Sequence, residues 1–190
     1  DTPLLLSRNQ GLSIDQRMVK RTVDIVLSLI GIVIASPFMI IIALAVKLYD
    51  GGPVLYKQIR CTTNGREFEI LKFRSMRVDA EKDGVARLAA KNDSRITPIG
   101  KFIRAVRIDE LPQLWNVFKG DMAFVGPRPE RAYYIDQILE HDKRYTYLYQ
   151  IRPGVTSYAT FYNGYTDTME KMLRRLEYDL YYLGYRSWKF

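Results

Sequence analysis

Arg104-Ala-Val-Arg107-Ile-Asp109-Glu110-Leu-Pro-Gln-Leu-Trp-Asn-Val-Phe-Lys-Gly120 is the stretch from which the rest of the chain is read. Leu111, Leu114, Trp115 and Phe118 recur at i, i+3, i+4 and i+7, so the segment predicts a helix with one apolar face. Pro112 is tolerable only in a first turn, which sets the expected start near Asp109. Lys119 and Gly120 supply a cation in the last turn and a stop. Two adjacent carboxylates then sit where backbone N–H groups favour negative charge, with arginines two and five positions upstream. Such a place can hold a divalent metal, a phosphate and an acidic nucleophile together. The plainer reading is that Asp109 caps the helix and Glu110 decorates its first turn. Gly126-Pro127-Arg128-Pro129-Glu130 weighs against it. Two prolines make a stiff loop that presents a guanidinium, a fork matching phosphate oxygens, close to an acidic pair. That is a phosphoryl-transfer arrangement.

A length of 190 residues suggests one domain with room for a real core. The formal charge of +8 and pI near 9.5 point to an acidic partner: nucleic acid, anionic lipid or a phosphorylated substrate. The lone Cys61 excludes an internal disulfide, and with the lone His141 it leaves no zinc set. Any metal is therefore a hard ion on oxygen ligands. A start at Asp1 rather than Met reads as a fragment or processed product.

Ser13-Ile-Asp-Gln16 has the form of a capping box, and from Val23 to Val46 the chain is almost wholly apolar. Length alone says transmembrane helix. Ser36-Pro37 argues otherwise: proline removes a helical hydrogen bond in mid-run, while the Ser36 hydroxyl can satisfy a freed carbonyl. Each half is then roughly 20 Å long, short of a hydrocarbon core of about 30 Å. Arg17, Lys20 and Arg21 on one side, and Lys47, Lys57 and Arg60 on the other, make both flanks look cytoplasmic. A re-entrant hairpin broken at Ser36-Pro37 fits both facts; a kinked span and a buried core helix are the alternatives. The expected division is residues 1–50 for the N-terminal segment and membrane hairpin and 51–190 for a cytoplasmic catalytic domain.

Val54–Arg60 and Glu67–Phe73 read as strands of a β-hairpin around Asn64-Gly65. Lys72 and Arg74 share one side of the second strand, either an ordinary solvated edge or a working face. Met76–Arg95 reads as a short helix and surface loop. Lys101–Arg107 is basic and amphipathic, suited to anionic headgroups. Met169, Met172, Leu173, Leu176, Leu180 and Leu183 form the stripe of a C-terminal helix with Asp179 at its edge. The expected class is α+β, mostly helical and membrane-anchored, with the hairpin helix and a small β-hairpin.

Lys20-Arg21-x-Val-Asp24, Ser36-Pro37, Gly52-Pro53-Val-Leu-Tyr and Leu71-Lys72-Phe73-Arg74-Ser-Met76 come in order. Asp109-Glu110-Leu-Pro-Gln-Leu, Lys119-Gly-Asp-Met, Val125-Gly-Pro-Arg-Pro-Glu130, Arg152-Pro-Gly-Val-Thr156 and Tyr178-Asp-Leu-Tyr-Tyr182 follow. This set resembles the bacterial sugar transferases, the monotopic phosphoglycosyl transferases that start capsule, exopolysaccharide and O-antigen assembly. Its wording is most similar to the catalytic part of the larger members, whose extra N-terminal helices and soluble domain would explain a start at Asp1.

The resemblance implies transfer of a sugar phosphate from a UDP-sugar to polyprenyl (undecaprenyl) phosphate with Mg²⁺, at the cytoplasmic face of the bacterial inner membrane and without nucleic acid. By position it implies Asp109 as nucleophile and Glu110 as Mg²⁺ ligand. Lys72, Arg104, Arg128 and Arg152 become phosphate-facing cations, and Asp179 a further polar active-site residue. The larger relatives leave room for a homodimer. Ser157–Gly164 departs from the family's wording, which bears on sugar or lipid contacts more than on the chemistry. The alternatives are a Mg²⁺-dependent phosphohydrolase using the same dyad, a non-catalytic membrane-tethered polyanion-binding module, and a scaffold recruiting later glycosyltransferases.

Overall fold

The computed structural model describes residues 12–80, 93–163, 166 and 168–185. Helix α1 runs Ile14–Asp50, with the Ser13/Gln16 capping box formed and Gly51 as a left-handed C-cap. Strands β1 (Leu55–Cys61) and β2 (Glu67–Phe73) pair antiparallel from Leu55↔Phe73 to Cys61↔Glu67. Between them lies a short 3₁₀ turn, with Asn64 and Gly65 at positive φ as their sequence predicts. Helix α2 (Pro98–Ala105) starts on a Thr97 cap. A 3₁₀ turn at Ile108–Glu110 leads to α3 (Gln113–Lys119). Strand β3 (Ala123–Val125), α4 (Ala132–His141), a 3₁₀ segment (Lys143–Gln150) and β4 (Gly154–Thr156) come next, then α5 (Tyr158–Asn163) and α6 (Met169–Tyr185). Most of the Met76–Arg95 expectation, residues 81–92, lies outside the described residues.

α1 is long and apolar enough to cross a membrane, and most of its side chains lie exposed. The expected break at Ser36-Pro37 is not there: the helix runs unbroken through Pro37. Pro37 has no N–H to offer the Val33 carbonyl, and the Ser36 hydroxyl donates to that carbonyl instead, at 2.8 Å. Both ends of α1 are fixed to the body. Near the start, Arg21 Nη1 and Nη2 donate to the Val117 and Phe118 carbonyls at the end of α3, both at 2.7 Å. Asp24 accepts from the Phe124 N–H at 3.3 Å. At the far end Asp50 pairs with the buried Arg74, whose Nε also donates to the Pro53 carbonyl at 2.7 Å.

The apolar face read from the Leu111 stretch is not the core face of its helix. α3 buries Gln113, Asn116 and Val117, while Trp115 is 50% exposed and Leu114 packs against Gly31 of α1. A Cβ at Gly31 would lie 3.2 Å from Leu114 Cδ1, so the glycine admits the close crossing. Two apolar clusters form the body. Phe68 and Ile70 of β2 join Val117 and Met122, with Phe124 and Val155 against them. Tyr134, Ile135 and Ile138 of α4 meet Leu148 and Met172, Leu176, Leu180 and Leu183 of α6, as the C-terminal stripe predicts.

Candidate active site

Asp109 and Glu110 do not open a helix. They occupy the 3₁₀ turn, and α3 begins four residues after Asp109 with Pro112 as its N-cap. Pro112 cannot donate to the Ile108 carbonyl, so the Leu111 N–H takes that carbonyl at 3.1 Å in the tighter i→i−3 pattern. The turn is entered through Arg107, a non-glycine residue held left-handed at φ 60°.

β2 brings the first cation. Phe68, Ile70 and Lys72 alternate onto one face, so Lys72 continues the buried side of the strand rather than a solvated edge. Its ammonium lies 2.7 Å from Glu110 Oε1. The fully buried Asn116 fixes this register: its Oδ1 accepts from the Leu71 N–H at 3.0 Å and its Nδ2 donates to the Glu69 carbonyl at 2.7 Å. Strand and dyad turn are thereby clamped through α3.

Arg128 arrives from the loop after β3, and its Nη2 is 3.4 Å from Glu110 Oε1. The loop's base is the parallel β3–β4 pair. There a Cβ on Gly154 would meet the Gly126 nitrogen at 2.2 Å, so the approach excludes any side chain at that position. Glu130 anchors the loop's other end. Its Oε2 accepts from Arg60 Nη1 at 3.2 Å and its Oε1 from Arg175 Nη2, all three side chains being largely buried.

These groups wall one cavity of about 410 Å³, bordered by Tyr134 and Met172 of the second apolar cluster. Arg60, Lys72, Arg104, Arg107, Arg128, Arg131 and Arg175 line it against the carboxylates Asp109, Glu110 and Glu130. Sequence reasoning placed Asp109, Glu110, Lys72, Arg104 and Arg128 together, and all five are on its wall. Arg152 and Asp179 are not. Arg152 is exposed and close enough to Arg21 to repel it. Asp179 is buried on α6, one turn beyond Arg175. Arg107, read from sequence as the nearer of the two arginines upstream of the dyad, also lines the cavity. Arg60, Glu130, Arg131 and Arg175 were not anticipated, although Arg175 at i−4 from Asp179 and Glu130 beside Pro-Arg-Pro were signals to follow.

Burial raises the Asp109 carboxyl above its ordinary range, with Lys72 opposing and Glu110 adding to the rise. Its Oδ1 is buried without a hydrogen-bond partner. Burial also works against Glu110, but Lys72 and Arg128 outweigh it and hold that carboxyl at about 2. Two neighbouring carboxylates are thus driven apart, the pattern that separates roles in a catalytic pair. The Lys72 ammonium is lowered by its own burial and by Arg128.

Burial pushes Asp179 up to about 7, with Glu130 adding to the rise and Arg175 and Arg128 opposing it. An acid raised on folding costs no stability below its unfolded pKa; the cost grows with pH until the folded value is passed. Asp179→Asn removes that cost. Its stability gain over the unmodified chain is expected to be about 3 kcal/mol larger near pH 8 than near pH 5. Denaturant titrations at the two pH values measure it, and equal gains would mean that the carboxyl does not titrate between them.

A profile of the family described as bacterial sugar transferase matches residues 15–190. The chain belongs to that family. It is 42% identical over 174 residues to the UDP-glucose:undecaprenyl-phosphate glucose-1-phosphate transferase of Escherichia coli K12, covering 90% of this chain and 37% of that protein. Identity is 41% over 165 residues to the UDP-N-acetylgalactosamine-undecaprenyl-phosphate N-acetylgalactosaminephosphotransferase of Aeromonas hydrophila, covering 87% and 39%. The exopolysaccharide production protein PSS of Rhizobium leguminosarum bv. phaseoli is 41% identical over 177 residues, covering 88% and 86%. The chain therefore spans well under half the length of the first two relatives and most of the third.

Proposed function

We propose that this chain is the catalytic part of a phosphoglycosyl transferase that moves a sugar 1-phosphate from a UDP-sugar to polyprenyl phosphate through a covalent intermediate on Asp109. The observation that carries this reading is the partnerless buried oxygen of Asp109 beside a Glu110 held ionised by Lys72, in a cavity where cations outnumber carboxylates. The named reactions of the E. coli and A. hydrophila relatives supply the donor and acceptor classes. Their sugars differ, so a panel of UDP-sugars belongs in the assay.

In the first half-reaction an Asp109 oxygen attacks the sugar-bearing phosphorus. The P–O bond of the diphosphate breaks and UMP leaves with the electron pair. In the second, an oxygen of the lipid phosphate attacks the same phosphorus and the Asp109 carboxylate departs. Lys72, Arg104 and Arg128 neutralise phosphoryl charge, and Lys72 with Arg128 also hold Glu110 in place. The dyad's oxygens suit a hard divalent ion. Mg²⁺ would be held by Glu110 together with the substrate's phosphates. When bound, the ion adds positive charge at the diphosphate.

α1 seats this site at a bilayer surface, on the cytoplasmic side of the inner membrane. A straight helix would part Arg21 from Asp50 by about 43 Å. Both are bonded to α3 and to the end of β2, which Asn116 clamps together. Two anchors on one small body support a helix that bends at Ser36-Pro37 and returns to the face it left. Cysteines at Arg17 and Lys57 are expected to react with an impermeant maleimide from the same side; labelling from opposite sides would make the helix a span.

The decisive experiment uses UDP-sugar and Mg²⁺ without lipid. UMP release is expected to stop after a single turnover, leaving protein heavier by one sugar phosphate and sensitive to hydroxylamine. Polyprenyl phosphate then discharges it. A hydrolase shows no such pause, and a binding module or scaffold releases no UMP.

A further inference from the structure

Two recesses share Glu110, and their walls differ in kind. The cavity described above is walled by charge. A second recess of about 310 Å³, within the range of ligand pockets, adjoins it through Glu110. Leu111, Leu114, Val155 and Thr156 belong to it alone, while Arg107, Glu110, Arg128 and Thr160 line both. Its charge is thus confined to the shared rim and its own wall is mainly aliphatic. That wall is continuous with the membrane helix, because Leu114 is the side chain packed on Gly31.

A ligand that is anionic at one end and hydrocarbon at the other matches this arrangement. A nucleotide sugar, polar throughout, has no use for the aliphatic wall. Arg107 adds a second, independent sign. Its left-handed backbone costs about 1–2 kcal/mol, a strain that persists where the surroundings impose it, commonly at functional sites. It stands immediately before the turn that carries Asp109 and Glu110, on the rim common to both recesses.

We infer that the second recess seats the acceptor: Arg107 and Arg128 take the phosphate of polyprenyl phosphate, and Leu111, Leu114 and Val155 take its first isoprenoid units. The remainder of the chain runs out along α1. This rests on the transferase reading above. The lipid phosphate, as a dianion, then reaches the phosphorus on Asp109 across the shared rim of Arg107, Glu110 and Arg128. One P–O bond forms to the lipid phosphate and one breaks to Asp109, with no proton to move.

Thr156→Trp tests the assignment in the membrane-reconstituted chain. Thr156 is an exposed strand residue, where an aromatic side chain is tolerated, and it lines only the second recess. The donor is whichever of UDP-glucose and UDP-N-acetylgalactosamine the unmodified protein uses. The single-turnover release of UMP without lipid is expected to keep its amplitude and rate. The KM for undecaprenyl phosphate rises about tenfold or more. Farnesyl phosphate presented in detergent shows the same rise, since only the units nearest the phosphate occupy the recess. Arg107→Asn, which keeps the left-handed backbone while removing the rim charge, raises the acceptor KM for both lipids. An unchanged acceptor KM in both variants, with the UMP burst intact, overturns the assignment and leaves the transferase reading standing. A rise confined to the long lipid also overturns it, by pointing to membrane seating. Absence of any burst in the unmodified protein removes the transferase reading itself.

Discussion

Asp109→Asn leaves a folded protein with neither half-reaction. The substitution is isosteric, and an amide cannot attack phosphorus to form the acyl phosphate. The loss of turnover is expected to be on the order of 10⁴-fold or more, the scale seen when a covalent nucleophile is removed. UMP release without lipid disappears together with the mass increment. Stability moves the other way. Asp109 is buried with its carboxyl raised and one oxygen unpaired, so a neutral side chain removes a desolvation cost. A melting temperature no lower than that of the unmodified chain, with no burst, separates lost chemistry from lost structure. A burst that survives in the Asn variant would remove Asp109 from the nucleophile's role.

Glu130→Ala has the largest expected effect on stability. Its carboxylate joins Arg60 of β1 to Arg175 of α6, and all three are nearly out of water. Removing it leaves two guanidinium groups buried without their counter-charge. Breaking such a group typically costs about 3–5 kcal/mol. For a chain of this size that corresponds to a fall in melting temperature of roughly 10–15 °C. The loop carrying Arg128 loses its anchor, so kcat falls as well. Glu130→Gln, able to accept at one of the two positions, falls in between. A drop of less than about 2 °C for Glu130→Ala would mean that the joint is held by something else.

Local chemistry was legible in the sequence. The Ser13 box, the Asn64-Gly65 turn, the Gly120 stop and the apolar stripe of α6 each depend on residues a few positions apart. The dyad and the Arg128 loop were legible for the same reason. The Arg60–Glu130–Arg175 set was not, since its members come together across 70 and 45 residues. No periodicity records which of many charges will meet. The face built on Leu111 and Trp115 shows a different limit. Spacing reveals that a side of a helix is apolar, but protein core and membrane-facing surroundings select the same residues. Here the side with Gln113 and Asn116 faces inward, because Asn116 is spent on the backbone of β2. At Pro37 only the expected break in the helix failed. The proline's missing donor was foreseen, and so was the hydroxyl that could replace it, yet only the structure weighs the two and keeps the helix intact.

That hydroxyl bears on insertion. Every backbone carbonyl carried into hydrocarbon without a donor costs several kcal/mol, which in most proteins keeps a mid-helix proline near water or other polar partners. At Val33 the donor travels with the chain, one residue before the proline that removed the original. The proline turn needs no solvent molecule, no lipid headgroup and no second protein to supply the donor that Pro37 lacks. The transfer free energy of the apolar run is therefore not eroded at its middle.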